Sequence, residues 1–315
     1  MPEPVTAPGR EARPRGSEAG VLRLRAVTKE GVGAPVLDGI SLDVHEGEIF
    51  GLLGPTGAGK SSLLGLAGGL QAPARGSVRI FGVDPIEDRS RVAGDVAWAL
   101  APRELAERTT CRQNLELRAR AGAGALSPGT ALAAVGLTDR AGVEVAALDG
   151  AEKRLLGIAC ALLTDPRLLF LDEPTEGLPP TQRERVWEVL RAGRDHGRAL
   201  VLATSSLQEA VCVCDRAGVL VDGELVAVGV PREIADEHFP ERSLRFATED
   251  QPDRAALEDL PDVLGVKIRQ EPDHWAVEVS TRQPSELLKL IAADPAMPEP
   301  ARVEEIEDPL SRGGR

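Results

Sequence analysis

Tyrosine is missing from this sequence, and aromatic residues of all kinds make up only 3 % of its 315 residues. A ligand site that needs a stacking ring therefore has few side chains to supply one. Basic residues are also outnumbered: 37 Lys and Arg face 50 Asp and Glu, which gives a net charge of −13. Because proteins bind the phosphate backbone of nucleic acids through basic patches, this balance argues against a nucleic-acid-binding function.

Long apolar runs are absent as well. No stretch approaches the roughly 20 apolar residues of a membrane-spanning helix, and the N-terminus lacks the apolar core of a secretory signal. We therefore expect a cytoplasmic protein that reaches a membrane only through a partner. The chain has four cysteines. The spacing of Cys212 and Cys214 does not match a metal site, so we expect reduced, structural thiols.

Composition and periodicity divide the chain into three regions. Residues 1–20 are rich in Pro, Gly, Arg and Glu without periodicity, which predicts a disordered tail. Residues 21–238 alternate short apolar strands with helices, which predicts an α/β domain, with a helical insertion at about 103–160. Within it, the alternation over residues 21–27 predicts an edge strand. Residues 241–310 predict a small α+β ferredoxin-like domain of order βαββαβ, with no catalytic constellation and a packing or regulatory role.

A glycine-rich loop carries the strongest pattern in the chain, G-x-x-x-x-G-K-S, followed by a second serine. Its members are Gly54, Pro55, Thr56, Gly57, Ala58, Gly59, Lys60, Ser61 and Ser62. Residues 48–53 predict a buried strand and residues 62–70 a helix, and this strand–loop–helix context favours a binding site over a chance match in a glycine-rich chain. Backbone N–H groups of such a loop hold phosphate oxygens. Lys60 can neutralise the β- and γ-phosphates, and the Ser61 hydroxyl can ligate Mg²⁺.

Two carboxylates follow a second apolar run. Residues 168–171 are all apolar and end in Asp172 and Glu173, which predicts a central parallel strand with its functional end at the carboxyl terminus. We expect Asp172 to hold Mg²⁺ directly or through water, and Glu173 to polarise the attacking water. A strand that merely ends in two solvated acids is the alternative, and the upstream phosphate-binding loop disfavours it.

These motifs resemble the nucleotide-binding subunit of ATP-binding-cassette (ABC) transporters over about residues 21–235. The glycine-rich loop looks like that family's Walker A region, and Leu-Leu-Phe-Leu-Asp-Glu-Pro-Thr-Glu-Gly-Leu at 168–178 looks like its Walker B region and the start of its D-loop. Leu-Asp-Gly-Ala-Glu at 148–152 occupies the place of the Leu-Ser-Gly-Gly-Gln signature. With its small C-terminal unit, the chain is most similar to ATPase subunits of bacterial drug and antibiotic exporters of the ABC-2 type.

The resemblance implies a P-loop NTPase (ABC ATPase) core, ATP and Mg²⁺ as cofactors, and two partners. One partner is a membrane permease. The other is a second nucleotide-binding subunit, identical or different, in a head-to-tail dimer that clamps each ATP between one chain's P-loop and the other chain's signature helix. The transported substrate stays open, because in this family the permease selects it.

Several family positions carry other residues here. Asp149 stands for the signature serine, Ala151 for its second glycine, Glu152 for its glutamine, Arg103 for the Q-loop glutamine, Ser205 for the switch histidine and Pro179 for the D-loop aspartate. No aromatic residue occurs at 30–32, where the family stacks adenine. An ionised carboxylate cannot donate a hydrogen bond to a γ-phosphate, although Asp149 followed by Glu152 also predicts a capping box.

We therefore expect an ABC-type ATPase with attenuated hydrolysis of MgATP that powers or gates an exporter. The alternative is a catalytically silent ATP-binding regulatory subunit paired with a competent ABC ATPase. A P-loop kinase or GTPase is disfavoured, because the chain has no Asn-Lys-x-Asp guanine motif and carries a signature-like helix before Asp172.

Overall fold

The computed structural model describes residues 20–99, 101–121, 126–238, 242–294, 297 and 299–307. The predicted disordered tail lies outside the described residues, except for Gly20. The chain forms two compact units, the first running through Ser205 and including Val213–Val228, the second comprising Ser206–Cys212 and the chain from Gly229 onward. The predicted domain limits, 21–238 and 241–310, stay a prediction, as does the limit of the helical insertion.

The strands of the described residues are numbered in chain order: β1 (Leu22–Lys29), β2 (Leu37–Val44), β3 (Ile49–Leu53), β4 (Arg75–Ile80), β5 (Val96–Trp98), β6 (Leu168–Asp172), β7 (Ala199–Thr204), β8 (Arg216–Val221), β9 (Glu224–Gly229), β10 (Arg242–Thr248), β11 (Val263–Gln270), β12 (Trp275–Thr281) and β13 (Ala301–Glu307). The α-helices are α1 (Lys60–Ala67), α2 (Cys111–Ala121), α3 (Pro128–Ala134), α4 (Gly150–Leu162), α5 (Pro180–Asp195), α6 (Leu207–Val213), α7 (Pro231–His238), α8 (Arg254–Glu258) and α9 (Pro284–Ala293).

A six-stranded sheet forms the centre of the first unit, in the order β5-β6-β7-β3-β8-β9. The pairs from β5 to β8 are parallel, and every residue of β3 and β7 is buried. Strands covered on both faces read as continuous apolar runs, so the sequence predicts them well. Asp222 and Gly223, with φ of 47° and 83°, form the turn between β8 and β9, and two successive positive φ angles are typical of a type I′ hairpin.

A separate antiparallel sheet has the order β2-β1-β4. Leu24 of β1 pairs with Leu42 on one side and with Val78 on the other, so β1 is the central strand and the prediction of an edge strand was wrong. The reason is that alternation of apolar and polar residues reports one buried face. A central strand of an antiparallel sheet with one solvated face alternates in the same way as an edge strand.

Helices α2, α3 and α4 lie in sequence between β5 and β6. Helix α4 begins after Asp149, whose Oδ1 accepts a hydrogen bond from the N–H of Glu152 at 2.8 Å, while the N–H of Asp149 donates to Glu152 Oε2 at 3.1 Å. The predicted capping box is therefore confirmed. Leu155, Leu156 and Ile158 of α4 are buried, which gives this short helix the tertiary packing that it needs.

The second unit contains a four-stranded antiparallel sheet in the order β11-β12-β10-β13. Helix α8 follows its first strand and α9 its third, which is the predicted βαββαβ order. A core of its own includes Leu244, Phe246, Val277, Val279 and Ile291. Leu244 and Phe246 alternate along β10, and Val277 and Val279 along β12, as expected when the helices cover one face of the sheet.

Candidate nucleotide-binding site

Glycines shape the loop between β3 and α1. Gly57 and Gly59 have φ of 90° and 101°, in the left-handed region that side chains other than glycine rarely adopt. Gly54 is needed for a different reason, which is lack of room for a side chain. A Cβ there would lie 2.2 Å from the Leu220 carbonyl oxygen. The backbone can therefore curl at this point only with the glycines that the sequence supplies, and Pro55 and Thr56 remain exposed at the loop's surface.

Lys60 is the first residue of α1 and is only 6 % exposed. Its Nζ donates to the Gly54 carbonyl at 2.7 Å and to the Pro55 carbonyl at 3.1 Å. The same Nζ lies 3.2 Å from Glu173 Oε1. A buried ammonium is costly unless it is paired and hydrogen-bonded, and these three oxygens supply both conditions. The ammonium group is thus held at the base of the loop, where a phosphate-binding cation is needed.

Glu173 is the residue that the sheet brings against this cation. It follows β6 with φ of 45°, an unusual backbone angle for a residue other than glycine. Its N–H donates to the Ala203 carbonyl at 2.9 Å. Its Oε2 accepts from the Ser205 N–H at 3.1 Å and from the Ser205 hydroxyl at 3.4 Å. The side chain is therefore held from two sides, by Lys60 at one oxygen and by Ser205 at the other.

Burial raises the pKa of Glu173 above the ordinary value of 4.5, and the charge of Lys60 and the Ser205 N–H oppose that rise. Desolvation penalises the charged form of a carboxyl group, so a carboxylate here is a better proton acceptor than one in water. Such a group suits general-base chemistry.

Sheet register explains how distant parts of the chain meet. Leu53 pairs with Thr204 and Asp172 pairs with Ala203, so β3, β7 and β6 end at the same edge of the sheet. Strand β7 lies between the other two, which places the ends of β3 and β6 about 10 Å apart at the usual strand spacing. A loop from the first strand and a side chain from the last can span that distance.

The two proposed magnesium ligands are exposed. Ser61 lies in the first turn of α1, and Asp172 ends β6 as the only exposed residue of that strand. No group of three or more His, Cys, Asp or Glu suited to a metal occurs among the residues that the structure describes. A magnesium ion held by a hydroxyl, one carboxylate and phosphate oxygens needs no such group, because Mg²⁺ at NTP sites keeps few protein ligands.

The signature-like segment is used for structure. The Oδ1 of Asp149 is occupied by its cap contact, and Glu152, whose side chain is buried, accepts a hydrogen bond from Arg140 Nε at 2.7 Å. The N–H of Ala151 donates to Gln182 Oε1 at 3.3 Å. The sequence patterns did not single out Arg140 or Gln182, since both lie far from the motif along the chain.

The remaining altered positions lie in a short turn, in a loop and just before a helix. Pro179 precedes α5, and Pro180 is its first residue, a place that suits proline. Arg103 lies in a single 3₁₀ turn, Pro102–Glu104. The segment 30–35 forms a loop closed by the bond from the Val36 N–H to the Lys29 carbonyl, 2.8 Å.

One contact near the loop was not predicted. Lys29 Nζ donates to Ser62 Oγ at 2.9 Å, which joins the end of β1 to the first turn of α1. The two residues lie on different elements, so no local sequence pattern indicates this contact. Across the described ranges, no helix has both the length and the apolar character that a membrane span requires.

A glycine-rich loop whose lysine contacts a carboxylate beyond a parallel strand defines a P-loop nucleoside triphosphatase. The ABC transporter family model matches residues 37–176. The Nod factor export ATP-binding protein I of Rhizobium meliloti is 38 % identical over 233 residues, which cover 71 % of this chain and 69 % of that protein. The daunorubicin/doxorubicin resistance ATP-binding protein DrrA of Streptomyces peucetius is 32 % identical over 271 residues, 82 % of this chain and 80 % of that one.

The chain therefore belongs to the ATP-binding proteins of ABC transporters. Two further Nod factor export ATP-binding proteins, from Rhizobium meliloti strain 1021 and Mesorhizobium japonicum, match over 66 % and 64 % of their own length. Among solved structures, cbiO1 from Clostridium perfringens, part of the ABC transporter complex cbiONQ, has a TM-score of 0.61 at 22 % identity over 70 % of this chain and 92 % of that one. The cassette MJ0796, a dimer bound to ADP and Pi, has a TM-score of 0.59 at 25 % identity over 67 % of this chain and 99 % of that one.

Proposed function

We propose that this chain is the ATP-binding subunit of an ABC exporter, which binds MgATP, hydrolyses it slowly and thereby powers or gates a separate membrane permease. The observation that carries the proposal is the contact of Lys60 Nζ with Glu173 Oε1 at 3.2 Å, which supports a site shared by the proposed phosphate-binding loop and the proposed general base. The exporter class rests on relatives that are named for Nod factor export and for daunorubicin/doxorubicin resistance. The exported compound is not part of the proposal.

The residues fit a triphosphate with magnesium. The backbone of Gly54–Ser62 and the ammonium of Lys60 would hold phosphate oxygens, and the oxygens of Ser61 and Asp172 would hold the metal, which when bound neutralises charge on the phosphates. Glu173 takes the proton of the attacking water. The Ser205 N–H keeps the carboxylate oriented for that role, so the loss of the switch histidine leaves the base in place.

Partners follow from the same assignment. A second nucleotide-binding subunit would supply its signature helix to this chain's P-loop, and this chain's α4 would face the partner's nucleotide. The permease would hold the pair at the cytoplasmic face of the membrane. Nucleic acid is not a proposed partner, given the net charge of −13.

We attribute the slow hydrolysis of ATP to the negative charge of Asp149. The carboxylate is exposed, and it faces the start of α4 where a γ-phosphate would approach. Two like charges at such range repel by on the order of a few kcal/mol at intermediate dielectric. A homodimer would carry this defect twice. In a heterodimer the defect would fall only on the site to which this chain gives its signature.

A second candidate function is a regulatory subunit that binds ATP without turnover. The structure of the signature segment favours it, because Asp149 and Glu152 are committed to the capping box and to Arg140. Such a subunit would still bind MgATP and would join a competent ABC ATPase.

Titration with MgATP, followed by measurement of phosphate release from the purified full chain, separates these functions. Saturable binding with release that is slow yet abolished in Lys60→Ala supports the ATPase. Binding without release supports the regulatory subunit. Absence of MgATP binding by the folded wild-type chain would contradict both.

A further inference from the structure

Lys29 stands at the junction of two elements that shape the nucleotide site. It is the last residue of β1, and its Nζ lies 2.9 Å from the hydroxyl of Ser62. Ser62 is the third residue of α1, so it lies in the turn whose backbone N–H groups have no partner within the helix. The half-buried lysine therefore places a positive charge beside the amino end of a helix that already attracts anions.

The segment after Lys29 offers no ring to a nucleobase. Glu30, Gly31 and Val32 follow in the sequence, and the Val32 side chain is fully exposed. Stacking on an aromatic side chain strengthens the binding of a base, and this chain lacks that contribution at residues 30–32. Nucleotide affinity must then come more from the phosphates.

We propose that Lys29 is a further nucleotide-binding residue, which contacts the α-phosphate and makes binding depend on the phosphates more than on the base. Lys60 and Ser61 serve the β- and γ-phosphates and the metal. The ammonium of Lys29 lies beside Ser62, one residue after Ser61 in α1. We therefore assign it to the α-phosphate, which is the phosphate nearest the ribose. Lysine acts as a compact point charge, which suits a single phosphate oxygen. The inference rests on the proposed function.

The test compares binding of MgATP, MgADP and inorganic tripolyphosphate to the wild type and to Lys29→Met, which keeps the length of the side chain and removes its charge. ATP and ADP both carry the α-phosphate. We expect both to bind roughly tenfold more weakly to Lys29→Met, as for loss of one charge-assisted hydrogen bond. Tripolyphosphate should bind the wild type within about tenfold of ATP, because the stacking contribution is missing.

The matched control is Arg25→Met. Arg25 lies on the same strand, is exposed and is paired with Asp43, and it precedes Lys29 by four positions, or about 13 Å along a strand. It should leave all three affinities within about twofold, which would exclude an effect of net charge. Lys29→Arg, which keeps the charge, should lie close to the wild type.

Three results would overturn the assignment of Lys29. They are unchanged ATP affinity in Lys29→Met, loss of ATP binding with ADP binding unchanged, and equal losses in Lys29→Met and Lys29→Arg, which would show a packing role. Each of these requires a wild type that binds MgATP. A wild type without affinity for MgATP or MgADP would instead contradict the proposed function itself.

Discussion

The ammonium of Lys60 lies 3.2 Å from Oε1 of Glu173, and the two residues are 113 positions apart in the chain. The pair joins the loop after β3 to the turn after β6 across the intervening strand β7. Oε1 of Glu173 thus contacts the ammonium of Lys60, and Oε2 accepts hydrogen bonds from Ser205. A phosphate that enters the loop would compete for the same ammonium and thereby release Glu173 toward water.

Glu173→Gln should abolish phosphate release while MgATP affinity changes little. The amide keeps the size and the hydrogen-bonding reach of the side chain but cannot take a proton, and a general base contributes about 10²–10⁴-fold. The measurement is single-turnover phosphate release beside equilibrium binding. Glu176→Gln is the matched control, because Glu176 is an exposed glutamate three residues on, and it should retain wild-type release. Equal rates in the wild type and Glu173→Gln would rule out Glu173 as the base.

The burial of Glu173 should shift the acid side of the pH profile of turnover to higher pH. Glu173 accepts a proton only when ionised, and burial raises its pKa above 4.5. Turnover should therefore fall as the pH drops through this raised pKa, at a higher pH than an ordinary glutamate would give. The check is kcat against pH with saturating MgATP. An acid limb at or below pH 4.5 would show that Glu173 does not limit the rate, or that nucleotide binding cancels the effect of burial.

Asp149→Ser should raise ATP turnover in the assembled dimer. Serine restores a donor toward a γ-phosphate and removes the repelling charge, yet it caps a helix about as well as aspartate. We expect an increase of roughly tenfold or more, since about 1.4 kcal/mol corresponds to a factor of ten. The free energy of unfolding should stay nearly constant.

Asp149→Ala separates capping from charge. It removes the repulsion as well as the cap, so it should lower the free energy of unfolding by about 0.5–2 kcal/mol without restoring the donor. Turnover in Asp149→Ser no higher than in Asp149→Ala would show that a hydroxyl at this position makes no contact with nucleotide.

The sequence predicts the parallel core well because its strands are buried on both faces and its turns need particular residues. The loop at Gly54–Ser62 needs glycine at left-handed positions, and the hairpin at Asp222 and Gly223 needs two positive φ angles. Such local requirements leave a direct trace in the sequence. The capping box at Asp149 is predictable for the same reason, since all of its contacts lie within four residues.

Contacts set by tertiary packing left no such trace. Strand β1 was predicted at an edge, because alternation shows a buried face but not the number of neighbouring strands. The bonds of Arg140 to Glu152 and of Lys29 to Ser62 join residues on different elements. The role of Ser205 was not predicted either, because its shorter bond to Glu173 comes from the backbone N–H, which every residue except proline supplies.

Gly54→Ala should disrupt the nucleotide loop through space alone. Its Cβ would lie 2.2 Å from the backbone carbonyl oxygen of Leu220, and a backbone atom of β8 cannot rotate away as a side chain can. We expect loss of MgATP binding and a free energy of unfolding that is lower by about 1–3 kcal/mol, as for overpacking. Gly65→Ala is the matched control, since Gly65 lies within α1 and an added Cβ meets nothing within 4 Å. That variant should be neutral or stabilise the chain by up to about 1 kcal/mol, because alanine favours helix. A Gly54→Ala chain that binds MgATP as tightly as Gly65→Ala would mean that β8 and the loop can move apart without cost, and the close approach of Gly54 to Leu220 would then have no bearing on nucleotide binding.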